Sequence, residues 1–211
     1  MNNAFFFLQK QWQSLWQGDN YDVLFDTLVA HYTKSHRHYH NLTHLHECFV
    51  HFDNVKDKLQ RPKVVALALF YHDVIYEPNS HTNEIDSANF AKTALMGKIS
   101  QDDVDKICAY IVATQHHQNT LRFTDLDYLL DMDLAILGAD KGRFDEYNTQ
   151  IRQEYAWVDD TLYHTKRRQV LQRFYQQSPL FITPYFYNLL ETQAKQNLGR
   201  VLGSNQMLHK P

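Results

Sequence analysis

Hydrophobic residues recur along the chain mostly at steps of three and four, the spacing of an amphipathic α-helix. Only six glycines and five prolines interrupt this pattern in 211 residues, so few breaks divide the helices. The pattern predicts an all-α fold: one single-domain helical bundle over residues 1–211. We expect an inner part over about 31–140 and outer helices over about 141–201.

Turn and capping residues mark where the predicted helices begin and end. Gly18, Gly97 and Gly138 are expected to end three of them, and Ser100 with Asp103 has the spacing of a capping box. The remaining breaks follow the apolar pattern. The predicted helices cover 4–17, 22–32, about 41–59, 62 to about 73, 84–95, 104–116, 126–137, 141–157, 160–176 and 183–201.

The segment FYHDVIY, residues 70–76, places a histidine and an aspartate inside a strongly apolar run. Pro62 fits the first position of a helix that has His72 and Asp73 at its C-terminal end, although a buried strand is the competing interpretation. Burying such a pair costs free energy unless both groups are paired or bind a metal. Other residues must therefore satisfy them.

Other predicted helices carry polar residues that could meet this pair. The chain has thirteen histidines, and His40 and His44 share one helical face in YHNLTH, so that one could bind metal while the other meets substrate. Asp131 and Asp133 lie in the otherwise apolar segment DMDLAIL. Imidazole and carboxylate ligands suit Mn, Fe, Co, Ni or Zn. The predicted metal ligands are His44, His72, Asp73 and Asp133.

The composition of the chain bears on its binding partners and on its cellular compartment. A formal net charge of −3 and a pI near 6.5 give no electrostatic support for binding nucleic acid or anionic membranes. Cys48 and Cys108 lie in apolar-periodic segments and are expected to be buried thiols of a reducing compartment. The N-terminal segment has neither a basic start nor an apolar run of signal-peptide length, so we expect a cytoplasmic protein.

The order of these residues resembles the HD superfamily of metal-dependent phosphohydrolases: a histidine, an adjacent His-Asp pair, then a distant aspartate. The blocks RHYHNLTHL, ALALFYHDVIYEP, NEIDSA, DMDLAILG, IRQEYAWV and TKRRQVLQRF are similar to a bacterial group of predicted HD phosphohydrolases. One departure is Lys166, where that group has glycine before the arginine. The resemblance extends over most of the chain.

The resemblance implies roles for individual residues. YHNLTH is similar to a motif of cyclic-nucleotide phosphodiesterases, which makes His40 the candidate general acid and His44 a ligand. The superfamily pattern aligns Asp133, rather than Asp131, with the last ligand. Some relatives have extra histidines that form a binuclear centre, and His117 rather than His116 is the candidate here, with Mg as an option at a second site.

Ordinary structural roles compete with several of these interpretations. Arg37 could orient a phosphate through its planar fork or be a plain surface charge. His116 and His117 could complement a helix dipole. Glu84 could cap its helix, or it could bond a ligand histidine or pair with Arg37. Asp131 is expected next to the ligands or on the helix surface, and Arg152 is interpreted as structural.

The predicted function is a metal-dependent hydrolase of a phosphate ester or anhydride, with a nucleotide or related small metabolite as substrate. The metal would acidify a bound water and neutralise phosphoryl charge, His40 would protonate the leaving oxygen and Arg37 would orient the phosphate. A homodimer is also considered, because aromatic residues are abundant. The alternatives are a di-iron oxygenase of the same fold and a regulatory module that binds a nucleotide or metal without turnover.

Overall fold

A computed structural model describes residues 3–16 and 21–207, with side chains up to residue 203. These residues form α-helices and short connections, and none of them lies in a β-strand. Two 3-10 turns, Lys56–Lys58 and Ala135–Gly138, follow α3 and α7. The helices are α1 Asn3–Ser14, α2 Asp22–Tyr32, α3 Leu42–Val55, α4 Pro62–Tyr71, α5 Asn83–Leu95, α6 Gln101–Thr114, α7 Thr124–Leu134, α8 Lys141–Glu154, α9 Asp160–Gln176 and α10 Pro184–Met207.

The all-α prediction is confirmed, and the segment after Pro62 is a helix rather than the competing strand. The predicted ends of the third and seventh helices were too late, because 3-10 turns follow α3 and α7. α6 begins at Gln101, three residues early, since Ser100 is its N-cap. The predicted end of the first helix at Gln17 and Gly18 lies outside the described residues.

The predicted capping residues explain several helix starts. Ser100 Oγ accepts a hydrogen bond from Asp103 N at 3.2 Å and donates one to the Asp103 carboxylate at 2.8 Å. Asn41 caps α3 in the same way, with its side-chain oxygen 2.8 Å from Thr43 N. These caps fix where α6 and α3 begin, and therefore which face of each helix meets the core.

Contacts group the chain into two compact units, Met1–Leu130 and Asp131–Pro211. The boundary falls inside α7, which is one continuous helix. The HD-type fold and the single domain stay predictions.

α4 is the central helix of the first unit. Every residue of α4 from Val64 to Tyr71 is buried, and α3, α5 and α6 pack against this helix. Phe70 contacts Trp12 of α1 edge to face and lies 4.4 Å from Phe49 of α3, measured between ring centroids. A helix covered on all sides needs no polar face, which explains its continuous run of apolar residues.

In the second unit, α10 packs against α9 and against the 3-10 turn that follows α7. Gly138 ends that turn at a close approach to α10, since a Cβ at this position would lie 2.6 Å from the Leu190 Cβ. Only glycine fits there without moving the helix. Phe144, Phe181 and Phe186 are fully buried in this unit.

Two further expectations bear on the class of protein. No helix among the described residues has both the length and the apolar character that crossing a bilayer requires. Both cysteines are free thiols; Cys48 is buried as expected, whereas Cys108 is only partly buried.

Candidate metal centre

His44 enters the candidate site from the first turn of α3. Asn41 sets the start of this helix and thereby the direction of the His44 side chain, which is only 2% exposed. The thiol of Cys48, one turn further along, lies 3.8 Å from His44 Nδ1. The imidazole therefore sits in a buried environment and is oriented by its own helix.

His72 and Asp73 follow directly after the last residue of α4. His72 is 1% exposed, and its Nε2 lies 3.2 Å from His44 Nε2 and 3.1 Å from Asp73 Oδ2. Asp73 Oδ2 is also 3.8 Å from His44 Nε2. Two imidazole nitrogens and one carboxylate oxygen thus converge on one small volume.

The tautomer of His72 follows from its other nitrogen. Nδ1 lies 2.8 Å from the Leu69 carbonyl oxygen, which can only accept, so Nδ1 carries the proton. A neutral His72 then presents a lone pair at Nε2, facing the carboxylate of Asp73. Lone pairs repel one another at this distance unless a proton or a cation lies among them. The Nδ1 hydrogen bond to a carbonyl is also what orients metal-binding histidines.

Asp133 lies on α7, in the second unit, and its role as a metal ligand stays a prediction. Mixed imidazole and carboxylate ligands suit first-row transition metals, and the donors of His44, His72 and Asp73 fit such an ion. Of the four predicted ligands, the structure brings His44 and Asp73 within reach of His72 Nε2 in the first unit.

The turn that carries Asp73 is held in place by buried polar groups. Tyr32 donates a hydrogen bond to the Phe70 carbonyl at 3.1 Å and accepts one from Asp73 N at 3.3 Å. Ser87 of α5 accepts from Ile75 N at 3.0 Å and donates to the Ile75 carbonyl at 3.1 Å. Burial raises the pKa of the Tyr32 phenol, so this group stays uncharged.

Arg37 is buried, and its guanidinium is engaged with backbone. It donates to the carbonyl oxygens of His40 at 2.9 Å, Asp73 at 2.7 Å and Val74 at 2.9 Å. The cation also lies 5.0 Å from the Tyr32 ring centroid. These contacts tie the segment before α3 to the turn after α4. Phosphate binding by Arg37 stays a prediction, and the observed bonds occupy much of its planar fork.

His40, the predicted general acid, lies beside the candidate ligand His44. Its ring stacks on Tyr76 with a centroid separation of 4.1 Å, and it is 6.0 Å from the His44 ring. The residue is partly exposed, so solvent or a substrate can reach it. Its place next to a ligand histidine is compatible with proton transfer to a group bound nearby.

Among the described residues, His117 does not join His44 and His72 in a cluster that could hold a metal ion. It follows α6 in a turn with φ of 51°, a conformation that ends the helix. His116 is exposed, and the adjacent His117 is partly buried. A second metal at His117 stays a prediction.

Asp131 is buried and accepts three hydrogen bonds, from Ile182 N, Thr183 N and the Thr183 hydroxyl, at 2.9, 2.8 and 2.6 Å. It is therefore not a helix-surface residue. These donors precede Pro184, the first residue of α10, so Asp131 stabilises the start of that helix.

The two remaining candidates have ordinary surroundings. Glu84 lies in the first turn of α5, where a carboxylate is favourable, and is partly exposed. Arg152 donates to the Tyr155 carbonyl at 2.6 Å and to Asp160 at 2.6 Å, and stacks over Tyr163 at 4.6 Å. The structural interpretation of Arg152 agrees with these contacts.

Tyr32 and Ser87 were not singled out from the sequence, although both support the turn after α4. Ser87 is a fully buried residue of the NEIDSA block, in which the sequence predicted a role only for Glu84. A serine on the apolar face of a helix was the available signal, because a buried hydroxyl requires partners. Tyr32 offered no comparable signal, since tyrosines are common in helix cores.

Comparison with known proteins does not add a family to this geometry. No protein-family model matches the chain, and searches of curated proteins and of solved structures find no significant match. The residues of the site therefore carry the functional interpretation by themselves.

Proposed function

We propose that this chain is a metal-dependent phosphohydrolase of the HD superfamily, acting on a phosphate ester or anhydride of a nucleotide or related small metabolite. The observation that carries the proposal is the convergence of His44 Nε2 and Asp73 Oδ2 on His72 Nε2, at 3.2 and 3.1 Å. The order of these residues along the chain supports the phosphohydrolase class. Asp133 is the proposed fourth ligand.

Each proposed ligand is held by an independent contact. The Leu69 carbonyl fixes the His72 ring, Tyr32 binds the Asp73 amide, and the start of α3 positions His44. A divalent ion bound by them would neutralise phosphoryl charge and make water acidic enough to ionise near neutral pH. The protein would contribute ligands that are already oriented before the ion binds.

His40 is the proposed general acid, protonating the leaving oxygen. Histidine has a suitable intrinsic pKa for this role, and the ring is partly exposed beside the ligands. Its stacking on Tyr76 restricts the ring to one plane. Arg37 would act by holding the His40 and Asp73 backbones together, in addition to any contact with phosphate.

The test is metal analysis of the full chain, purified without chelators or metal-affinity resin, followed by assays of phosphate release. The substrate panel covers nucleoside mono-, di- and triphosphates and sugar phosphates, with Mn, Co, Ni, Mg or Zn added. Asp73→Ala should lose the metal and the activity. Asp26→Ala, a charge loss at an exposed position of α2, is the matched control and should keep both.

Two outcomes would contradict the proposal in different ways. A stoichiometric metal without phosphate release from any substrate would exclude the hydrolase, and oxygen uptake by the Fe(II)-loaded chain would then test the oxygenase. Failure to bind any of the metals would remove the centre itself.

A further inference from the structure

A cleft of about 500 Å³ lies between α5 and α6 in the first unit, and it involves none of the proposed metal ligands of the α3 and α4 ends. This volume falls in the range of small-molecule sites, roughly 300–1,000 Å³. The walls come from one face of each helix and from the residues that follow α6. Two helices that pack together usually leave no such space between them.

Small side chains at the facing positions explain the space between α5 and α6. Ala88 of α5 and Ala109 and Ala113 of α6 line the cleft, and none extends beyond its Cβ. Cys108 adds a small thiol, whose Sγ lies 3.3 Å from the Ala88 carbonyl. α5 and α6 nevertheless pack together, and the Cys108 contact joins α6 to the α5 backbone.

The rim of the cleft is apolar and solvent-accessible. Ile85, Val112 and Leu121 line it and are 44%, 40% and 41% exposed. Exposing three large aliphatic side chains around one concavity costs free energy, which a ligand with an apolar body would recover. Single exposed apolar residues are ordinary, but here they surround a cavity of suitable size.

The charge of the lining favours apolar ligands that carry a negative group. The lining includes the Lys92 ammonium and no aspartate or glutamate. No carboxylate of the described residues pairs with Lys92 in the structure. The other polar groups of the lining are the amides of Asn89, Gln115 and Gln118, the imidazole of His116 and the hydroxyl of Thr120. Burial raises the pKa of the Cys108 thiol, while Lys92 opposes this weakly, so the floor carries no negative charge.

We propose that the α5–α6 cleft binds a small amphiphilic anion, an aromatic or branched apolar body bearing one acidic group. The apolar body lies against Ala88, Ala113 and Val112, and the acidic group meets Lys92 at the edge. This binding site involves none of His44, His72 and Asp73 and needs no metal ion at those residues, although its lining includes His116, the neighbour of the candidate second-metal residue His117.

The first experiment titrates the full chain with anilinonaphthalene sulfonate, which has this chemistry and fluoresces on burial. N-phenyl-1-naphthylamine serves as the neutral analogue of the same aromatic body. We expect one saturable site for each chain, unchanged by EDTA. Circular dichroism and thermal unfolding establish that the dye reports a folded protein.

Variants separate the apolar and ionic parts of the site. Ala113→Phe fills the cleft and should abolish binding of both dyes, whereas Ala94→Phe, on α5 outside the lining, should not. Lys92→Gln should weaken the sulfonate about threefold to fivefold, as expected for an exposed ion pair, and leave the neutral analogue unchanged. Lys98→Gln is the matched control, because Lys98 is exposed and does not line the cleft.

Cys108 provides a readout that does not depend on fluorescence. Alkylation by N-ethylmaleimide should label Cys108 and spare Cys48, which is 1% exposed, and the sulfonate dye should slow the labelling. Binding that persists in Ala113→Phe, or labelling of Cys108 that the dye does not slow, would overturn the proposal. Absence of any saturable binding would do the same.

Discussion

The Asp131 carboxylate holds Thr183 by two hydrogen bonds, from its backbone nitrogen at 2.8 Å and from its hydroxyl at 2.6 Å. Asp133 lies two positions further along α7 and is the proposed fourth metal ligand. Two acidic residues of one short motif thus have different proposed roles. Removing either charge should therefore have a different consequence.

Asp131→Asn should lower the free energy of unfolding by about 2–3 kcal/mol, because buried N–H and O–H donors lose their charged acceptor. Asp133→Asn should instead lose bound metal and leave the metal-free chain nearly as stable. Urea unfolding in EDTA and elemental analysis measure the two effects. Loss of metal in Asp131→Asn at unchanged stability would contradict this division.

Arg37→Lys should destabilise the fold by about 2–3 kcal/mol, because an ammonium cannot reach three carbonyl oxygens arranged around a planar fork. Urea unfolding measures this change, with the exposed Arg173→Lys as control. If Arg37 chiefly binds phosphate, the variant would keep its stability and raise KM for the phosphorylated substrate.

Ser87→Ala should weaken metal binding by about tenfold, since the turn after Asp73 loses the hydroxyl that bonds both the amide and the carbonyl of Ile75. Competition with a chromogenic chelator measures the affinity. Ser14→Ala removes an exposed hydroxyl on α1 that bonds only its own helix, and it should change nothing. Equal affinity in the two variants would show that Ser87 does not position the ligands.

His40→Ala should keep the metal and lower kcat by about 10²–10⁴-fold, the usual contribution of a general acid. The loss should be smaller for a p-nitrophenyl ester, whose leaving group needs no proton. The exposed His38→Ala is the control. Unchanged turnover of a substrate with a poor leaving group would remove the acid assignment.

His51 should make stability depend on pH. Burial lowers the pKa of this imidazole below its usual 6.5, and the Glu47 carboxylate opposes this shift. Between the folded pKa and pH 6.5, the unfolded chain therefore binds more protons than the folded chain. Stability is therefore fully present above pH 6.5 and falls as the pH drops toward the folded pKa. Urea unfolding between pH 5 and 7.5 should show a shallower loss in His51→Gln than in the wild type.

Local sequence patterns were sufficient to predict the helices, and they predicted most helix starts to within a few residues. Pro62 and the apolar run after it specify α4, and Ser100 with Asp103 specifies the start of α6. Helix C-termini were predicted less well. A 3-10 turn such as Ala135–Gly138 continues the same apolar pattern, and its end depends on the close approach of Leu190 to Gly138.

The partners of charged residues could not be predicted in the same way. The sequence marks Arg37 as a cation near a histidine cluster, but its acceptors include carbonyl oxygens 36 and 37 positions away. Backbone acceptors have no residue type, so no motif identifies them. The same holds for Asp131, whose donors lie 51 and 52 positions away.

The burial of α4 from Val64 to Tyr71 has a consequence for how an ion would bind at its end. His72 directly follows this buried part of the helix, so the entropy of ordering this ligand is lost when the core forms, not when a metal arrives. Small metal domains often fold only around their ion. Here a chelator would remove the ion from a centre that is already ordered, and α4 would stay folded. The metal affinity would therefore depend on the geometry of the ligands and not on folding coupled to binding.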